Sequence, residues 1–244
     1  MNQFTGLAVY IKMNRIILFL SFLVLAACTK PVSNSATIVT PPAGSPTKTW
    51  LALGDSYTIG QSVSASERFP AQTSNWLKLN GINIQEPDYI ATTGWTTNNL
   101  QDAINTANPA PHDVVSLLIG VNDQYQRHDT TGYRQRFTAL LAKAIQLAHG
   151  KKENVFVLSI PDYSVTPFAA YGDTAQIRRE IDWFNAINKE VTLSVPCPYL
   201  DITPSTREAR YNPSLVAGDG LHPSGLEYRR WTEKLGPLML PVLQ

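Results

Sequence analysis

The sequence predicts an α/β fold: three layers, with a doubly wound, five-stranded parallel sheet between two layers of helices. Three observations carry that expectation. From Trp50 onward short apolar runs alternate with longer amphipathic ones; five of the short runs read as strands; and the central one, "DVVSLLIG" at 113–120, is continuously apolar, as in a strand buried on both faces. Strands separated by helices pair in parallel through right-handed crossovers, which lays helices on both faces of the sheet.

The elements follow in order. "WLAL" (50–53) is the first strand and ends at Gly54, and "FPAQTSNWLKLNG" (69–81) is a helix stopped by Gly81. "PDYIAT" (87–92) is a weaker strand before Gly94, followed by "TTNNLQDAINTA", whose Leu100, Ile104 and Ala107 share one helical face. After the third strand, "GYRQRFTALLAKAIQLAHG" (132–150) is a helix and "NVFVLSI" (154–160) a strand. "TAQIRREIDWFNAINKEVTLSV" (174–195) is a long helix, "PYLDI" (198–202) a short fifth strand, and "SGLEYRRWTEKLGPLML" (224–240) the closing helix.

The N-terminal part reads differently. "MNRIILFLSFLVLAACTK" (13–30) places one basic residue before an apolar run from Ile16 to Ala27, which is short for a membrane span, and Met13 is an alternative start. Leu25-Ala26-Ala27-Cys28 resembles the lipobox of bacterial lipoproteins; an ordinary signal peptide, or a weak transmembrane helix, with a coincidental cysteine is the alternative. The resemblance implies lipidation of Cys28 and a lipid-anchored place in the cell envelope. Thr29, where an aspartate would favour the inner membrane, points to the outer membrane or periplasmic face. From Thr29 to Lys48 the chain is rich in Pro, Ser, Thr and Ala without apolar periodicity, the composition of a tether. The expected organisation is therefore a signal peptide at 1–27, a lipidated cysteine and tether at 28–48, and one globular domain at 49–244.

Composition narrows the chemistry. The 244 residues carry 20 Lys and Arg against 19 Asp and Glu, which gives no electrostatic reason to expect nucleic acid. Loss of residues 1–27 would remove Lys12 and Arg15 and no acid, leaving net −1. Of the two cysteines, a lipidated Cys28 would leave Cys197 unpaired, a small buried hydrophobe between two prolines. His112, His128 and His149 lack metal-ligand spacing and read as surface or loop residues. With no G-x-G-x-x-G and no Walker loop, no cofactor and no metal are expected.

In a doubly wound sheet ligands bind outside the carboxyl ends of the strands. At those ends stand Ser56, Gly94, Asn122 in "GVND", and Asp219 with His222 in "DGLHPSG". Serine, histidine and aspartate meeting in one crevice supply a nucleophile, its base and the carboxylate that orients the base. A glycine N–H and an asparagine amide supply donors for an oxyanion.

These blocks, in this order, resemble the SGNH hydrolases, also called the GDSL esterase and lipase family, over nearly all of Trp50 to Leu240. The resemblance implies a flavodoxin-like SGNH hydrolase fold, a catalytic set of Ser56, His222 and Asp219, and an oxyanion hole from Ser56, Gly94 and Asn122. Tyr57 replaces the leucine of the family name, and Trp95 stands beside Gly94; both are candidate substrate contacts, although Trp95 alternatively packs on the sheet. Asp55 and Asp123 read as turn-shaping residues, and Tyr163 and Phe168 either wall the crevice or pack within their loop. The implied activity is serine esterase, with small-acyl esters favoured because no segment has to be a long-chain channel. Lysophospholipase or thioesterase action on long chains, and glycan binding with little turnover, are the alternatives.

Overall fold

The structure, a computed structural model, describes residues 41–42, 44–127 and 131–244. Cys28, the signal and most of the tether lie outside the described residues, as does His128. Five parallel strands form one sheet: β1 (Trp50–Gly54), β2 (Asp88–Ala91), β3 (Val114–Leu118), β4 (Val155–Leu158) and β5 (Tyr199–Leu200), in the order β2-β1-β3-β4-β5. The α/β class and the five-stranded parallel sheet are as expected. Gly54 lies level with Ala91 on one side and Leu118 on the other, so β1, β2 and β3 end together.

Two groups of helices cover the sheet. α2 (Phe69–Leu79) packs on the last helix, α8 (Gly225–Leu243), while α3 (Thr97–Ala107) packs on α5 (Tyr133–Leu147), and α5 on α6 (Thr174–Ser194). The chain steps from β1 outward to β2, then crosses back over β1 to β3. That reversal of strand order is where a doubly wound sheet opens a crevice.

Burial explains the order. β1, β3 and β4 are buried along their whole length, and Trp50, itself fully buried, donates its indole N–H to Ser116 Oγ at 3.1 Å on β3. On the α2–α8 side the helices approach closely because Gly236 has no side chain: a Cβ there would stand 2.5 Å from the Trp76 ring. Pro237 and Pro241 lie inside α8, which runs to Leu243 rather than stopping at Leu240. Its buried face, including Trp231, Leu235 and Met239, supplies the packing that outweighs the lost backbone bonds. α2 ends in the glycine-terminated manner its sequence signals: the Ile82 N–H bonds the Leu77 carbonyl and the Gly81 N–H that of Lys78.

Four features depart from the expectation. The short helices α1 (Ser56–Ile59) and α4 (Val121–Arg127) begin directly after β1 and β3, too short to leave a periodic signature. β5 is two residues long instead of five, because Pro198 has no N–H for the ladder and Asp201, exposed, accepts the Thr203 N–H at 3.2 Å as the chain turns into the helix that follows. The Asp219–Gly225 segment does not follow β5 directly; α7 (Thr203–Arg207) and two 3₁₀ turns intervene before the chain returns to the crevice. Finally, two positions inside the stretch expected to be a tether touch the globular part: Lys48 bridges to Ile84, and Asn83 Nδ2 donates to the Ser45 carbonyl at 2.9 Å.

Candidate active site

Ser56 is placed by steric necessity. Gly54 closes β1 where a Cβ would collide with Thr58 Oγ1 and the Leu118 carbonyl oxygen, so only glycine lets the chain turn there. Asp55 then caps α1, its Oδ1 accepting the Tyr57 N–H at 3.0 Å. Ser56 occupies the first helical position, where a backbone N–H has no intrahelical partner. The serine is 4% exposed.

The segment after α7 brings the other two groups to it. Asp219 Oδ1 accepts the N–H groups of Leu221 (2.9 Å) and His222 (3.0 Å), and Oδ2 takes His222 Nδ1 at 2.6 Å. His222 Nε2 stands 2.9 Å from Ser56 Oγ. Burial works against the Asp219 charge, but the Ser62 hydroxyl, the imidazole and the two N–H groups outweigh it and hold the carboxyl well below the usual range. An ionised carboxylate only accepts, so Nδ1 carries the proton and the Nε2 lone pair faces the serine hydroxyl. The Tyr57 ring packs against the imidazole with centroids 5.0 Å apart.

Gly94 and Asn122 close the other side. Gly94 adopts φ +83°, and a Cβ there would meet nothing within 4 Å, so the position needs glycine for its backbone angle alone. Its carbonyl accepts from Gln126 Nε2 at 3.0 Å. Asn122 Nδ2 donates to the Trp95 carbonyl at 3.0 Å, which leaves the second amide hydrogen for the crevice. Asp123 departs from the turn role expected of it. Fully buried, it reaches across to accept the Thr97 N–H (2.8 Å) and hydroxyl (2.7 Å) and pairs with Arg136 at 3.3 Å, tying α4 to α3 and α5.

Ser56, Tyr57, Gly94, Asn122 and His222 line one cavity of about 110 Å³, with Thr93, Val121, Tyr125, Tyr163, Phe168 and Leu221. Trp95 is not among its walls. Of the two readings of Trp95 the packing one matches its place: the indole is partly buried against the core, and the residue's carbonyl accepts from Asn122. Tyr163 and Phe168 do wall the cavity. Tyr125, which sequence reading missed, joins them in a cluster with centroids 5.9–6.3 Å apart. The signal was its spacing, one helical turn after Asn122 on α4, invisible until that short helix is recognised.

Other groups stay out of the chemistry. Burial pushes the Cys197 thiol up to about 11, and it is a free, buried cysteine. His112 is a loop residue but a buried one, with Nε2 3.0 Å from Asp88 and Nδ1 2.8 Å from the Ala110 carbonyl. Among the described residues no group of three or more His, Cys, Asp or Glu is placed to hold a metal ion.

Comparison with known proteins bears on this geometry. The model of the GDSL-like Lipase/Acylhydrolase family matches residues 52–230. No curated protein sequence gives a significant match. Solved structures do. A lipase/acylhydrolase from Enterococcus faecalis superposes with a TM-score of 0.60 at 19% identity, over 81% of this chain and 97% of its own. TesA gives 0.58 at 20% identity, over 80% and 100%. Axe2, an acetylxylan esterase from Geobacillus stearothermophilus, gives 0.56 at 18% identity, over 85% and 96%. At such identities the likeness is one of fold.

Proposed function

The chain belongs to the GDSL-like lipase/acylhydrolase family and is an ester hydrolase, and from that premise we propose that it cleaves carboxylic esters of small acyl groups by a two-step serine mechanism. The observation that carries the mechanism is the unbroken run of hydrogen bonds from Asp219 through His222 to Ser56, at 2.6 and 2.9 Å. His222 Nε2 takes the Ser56 proton as Oγ attacks the ester carbonyl, and returns it to the departing alcohol. Water repeats the attack on the acyl-enzyme and restores the serine. The Ser56 and Gly94 N–H groups and the free amide hydrogen of Asn122 receive the developing oxyanion.

Small acyl groups are favoured by the small volume of the open cavity, about 110 Å³, and by the aromatic wall of Tyr125, Tyr163 and Phe168 across it. The long-chain reading keeps one observation in its favour. The same three aromatics border a second, larger groove of about 420 Å³, and Phe168 and Tyr125 are about half exposed on the rim between the two. Hydrolysis of p-nitrophenyl esters from acetate to palmitate, with Ser56→Ala alongside, separates the readings. The expected result is a Ser56-dependent rate that peaks at short chains; a peak at long chains moves the substrate to lysophospholipids or thioesters, and no Ser56-dependent turnover leaves a glycan-binding protein.

For the N-terminal part we propose a lipid anchor at Cys28 and a cell-envelope location, supported by the Leu25-Ala26-Ala27-Cys28 sequence. Fatty-acid labelling checks it: the wild-type chain should take label and Cys28→Ser should not, whereas equal labelling of both discards the anchor.

A further inference from the structure

The loop that leaves α1 holds a residue for which the family blocks have no place. Ser62 adopts φ +68°, a left-handed conformation in which glycine is at ease and a side-chain-bearing residue is strained. Its hydroxyl donates to Asp219 Oδ2 at 2.7 Å, across 157 residues of sequence. That oxygen is the one facing His222 Nδ1. The adjacent Gln61 accepts the Thr93 hydroxyl at 2.8 Å, one residue before Gly94. Backbone bonds from Gln61 N–H to the Ser56 carbonyl (2.9 Å) and from Val63 N–H to the Gly60 carbonyl (3.3 Å) hold this loop against α1. Two successive side chains thus reach the acid on one side and the oxyanion loop on the other.

The Asp219 side chain is 29% exposed and sits on a surface segment. Its Oδ1 is pinned by two backbone N–H groups of its own turn, but Oδ2 has the imidazole and the Ser62 hydroxyl. Without Ser62 that oxygen keeps the imidazole as its one protein partner and its other lone pair turns to water, so the tilt of the carboxylate toward His222 is less tightly fixed. We propose that Ser62 is a positioning residue for ester hydrolysis, its hydroxyl fixing the orientation of the Asp219 carboxylate toward His222. This inference rests on the Ser56–His222–Asp219 mechanism. It also accounts for a serine at a left-handed position: the hydroxyl offsets the strain that glycine would avoid.

The test is the full chain hydrolysing p-nitrophenyl acetate, with Ser62→Gly and Ser62→Ala in the wild-type and in the Asp219→Ala background. Both single variants should lose about tenfold in kcat with KM within about twofold, the loss of one bond to a charged group. Ser62→Gly should at the same time melt no lower than wild type, since the strain is relieved. In the Asp219→Ala background the Ser62 substitutions should cost nothing further, because the group they position is gone. Unchanged kcat in Ser62→Gly, or an equal loss in both backgrounds, overturns the proposal while leaving the mechanism standing. Absence of any Ser56-dependent turnover in the wild-type chain defeats the mechanism itself and this role with it.

Discussion

Two carboxylates flank the Ser56–His222 couple, and the regions that hold them treat charge in opposite ways. In the floor of the site Asp55 is fully buried, one oxygen serving the Tyr57 N–H, and burial pushes its carboxyl up to about 8. On the rim Asp219 gathers four donors and is held far below the usual range. Neutral below and charged beside, the pair gives the imidazole one anion to work against. The floor is positioned by exclusion of space, through Gly54 and the cap on α1, whereas the rim is positioned by polar bonds near water.

If that division holds, substitutions should sort by region. Ser56→Ala should cost on the order of 10⁶ in turnover with a melting temperature near wild type in a thermal scan, and Asp219→Asn about 10⁴ with a lower one, since the bonds that favour the carboxylate are weakened. Asp55→Asn should leave most of the rate, since Asn can still accept the Tyr57 N–H; a loss as deep as that of Asp219→Asn would erase the contrast. Asn122→Ala should cost about 10²–10³ in kcat with a modest change in KM, roughly 2.7–4 kcal/mol of oxyanion stabilisation. Unchanged turnover there would remove Asn122 from the oxyanion hole.

The floor should answer in stability instead. Gly54→Ala meets both Thr58 and the Leu118 carbonyl and should lose about 3 kcal/mol in urea unfolding. A second stability effect is a pH dependence. The Asp55 carboxyl is raised on folding, so its stabilising contribution is complete below the unfolded value near 3.9 and is lost as pH rises toward about 8. Asp219, lowered on folding, contributes above the unfolded value and loses that contribution as pH falls through the folded one. Melting temperature measured from pH 5 to 8 should therefore decline in the wild type and be flatter in Asp55→Asn; equal slopes would mean that Asp55 is not the neutral group of the pair.

What the sequence made legible follows the same division. The strands of the floor are legible in continuous apolar runs, and the family blocks mark Ser56, Gly94, Asn122, Asp219 and His222 as candidates from their order alone. Tyr125 and Ser62 were not legible, because a helix of seven residues shows little periodicity and a bond across 157 residues leaves no local mark. Trp95 stays open between two readings in the sequence because adjacency to Gly94 says nothing of which way an indole turns. The two-residue β5 and the proline-bearing end of α8 were misjudged where tertiary packing overrode local propensity.

Because every strand is parallel, the chain enters and leaves the sheet at opposite poles. Lys48 and Ile84 meet at the pole where β1 begins, and the crevice opens at the other, beyond Gly54. The crevice is therefore open on the face of the sheet's carboxyl ends alone, and an ester substrate would approach from that pole.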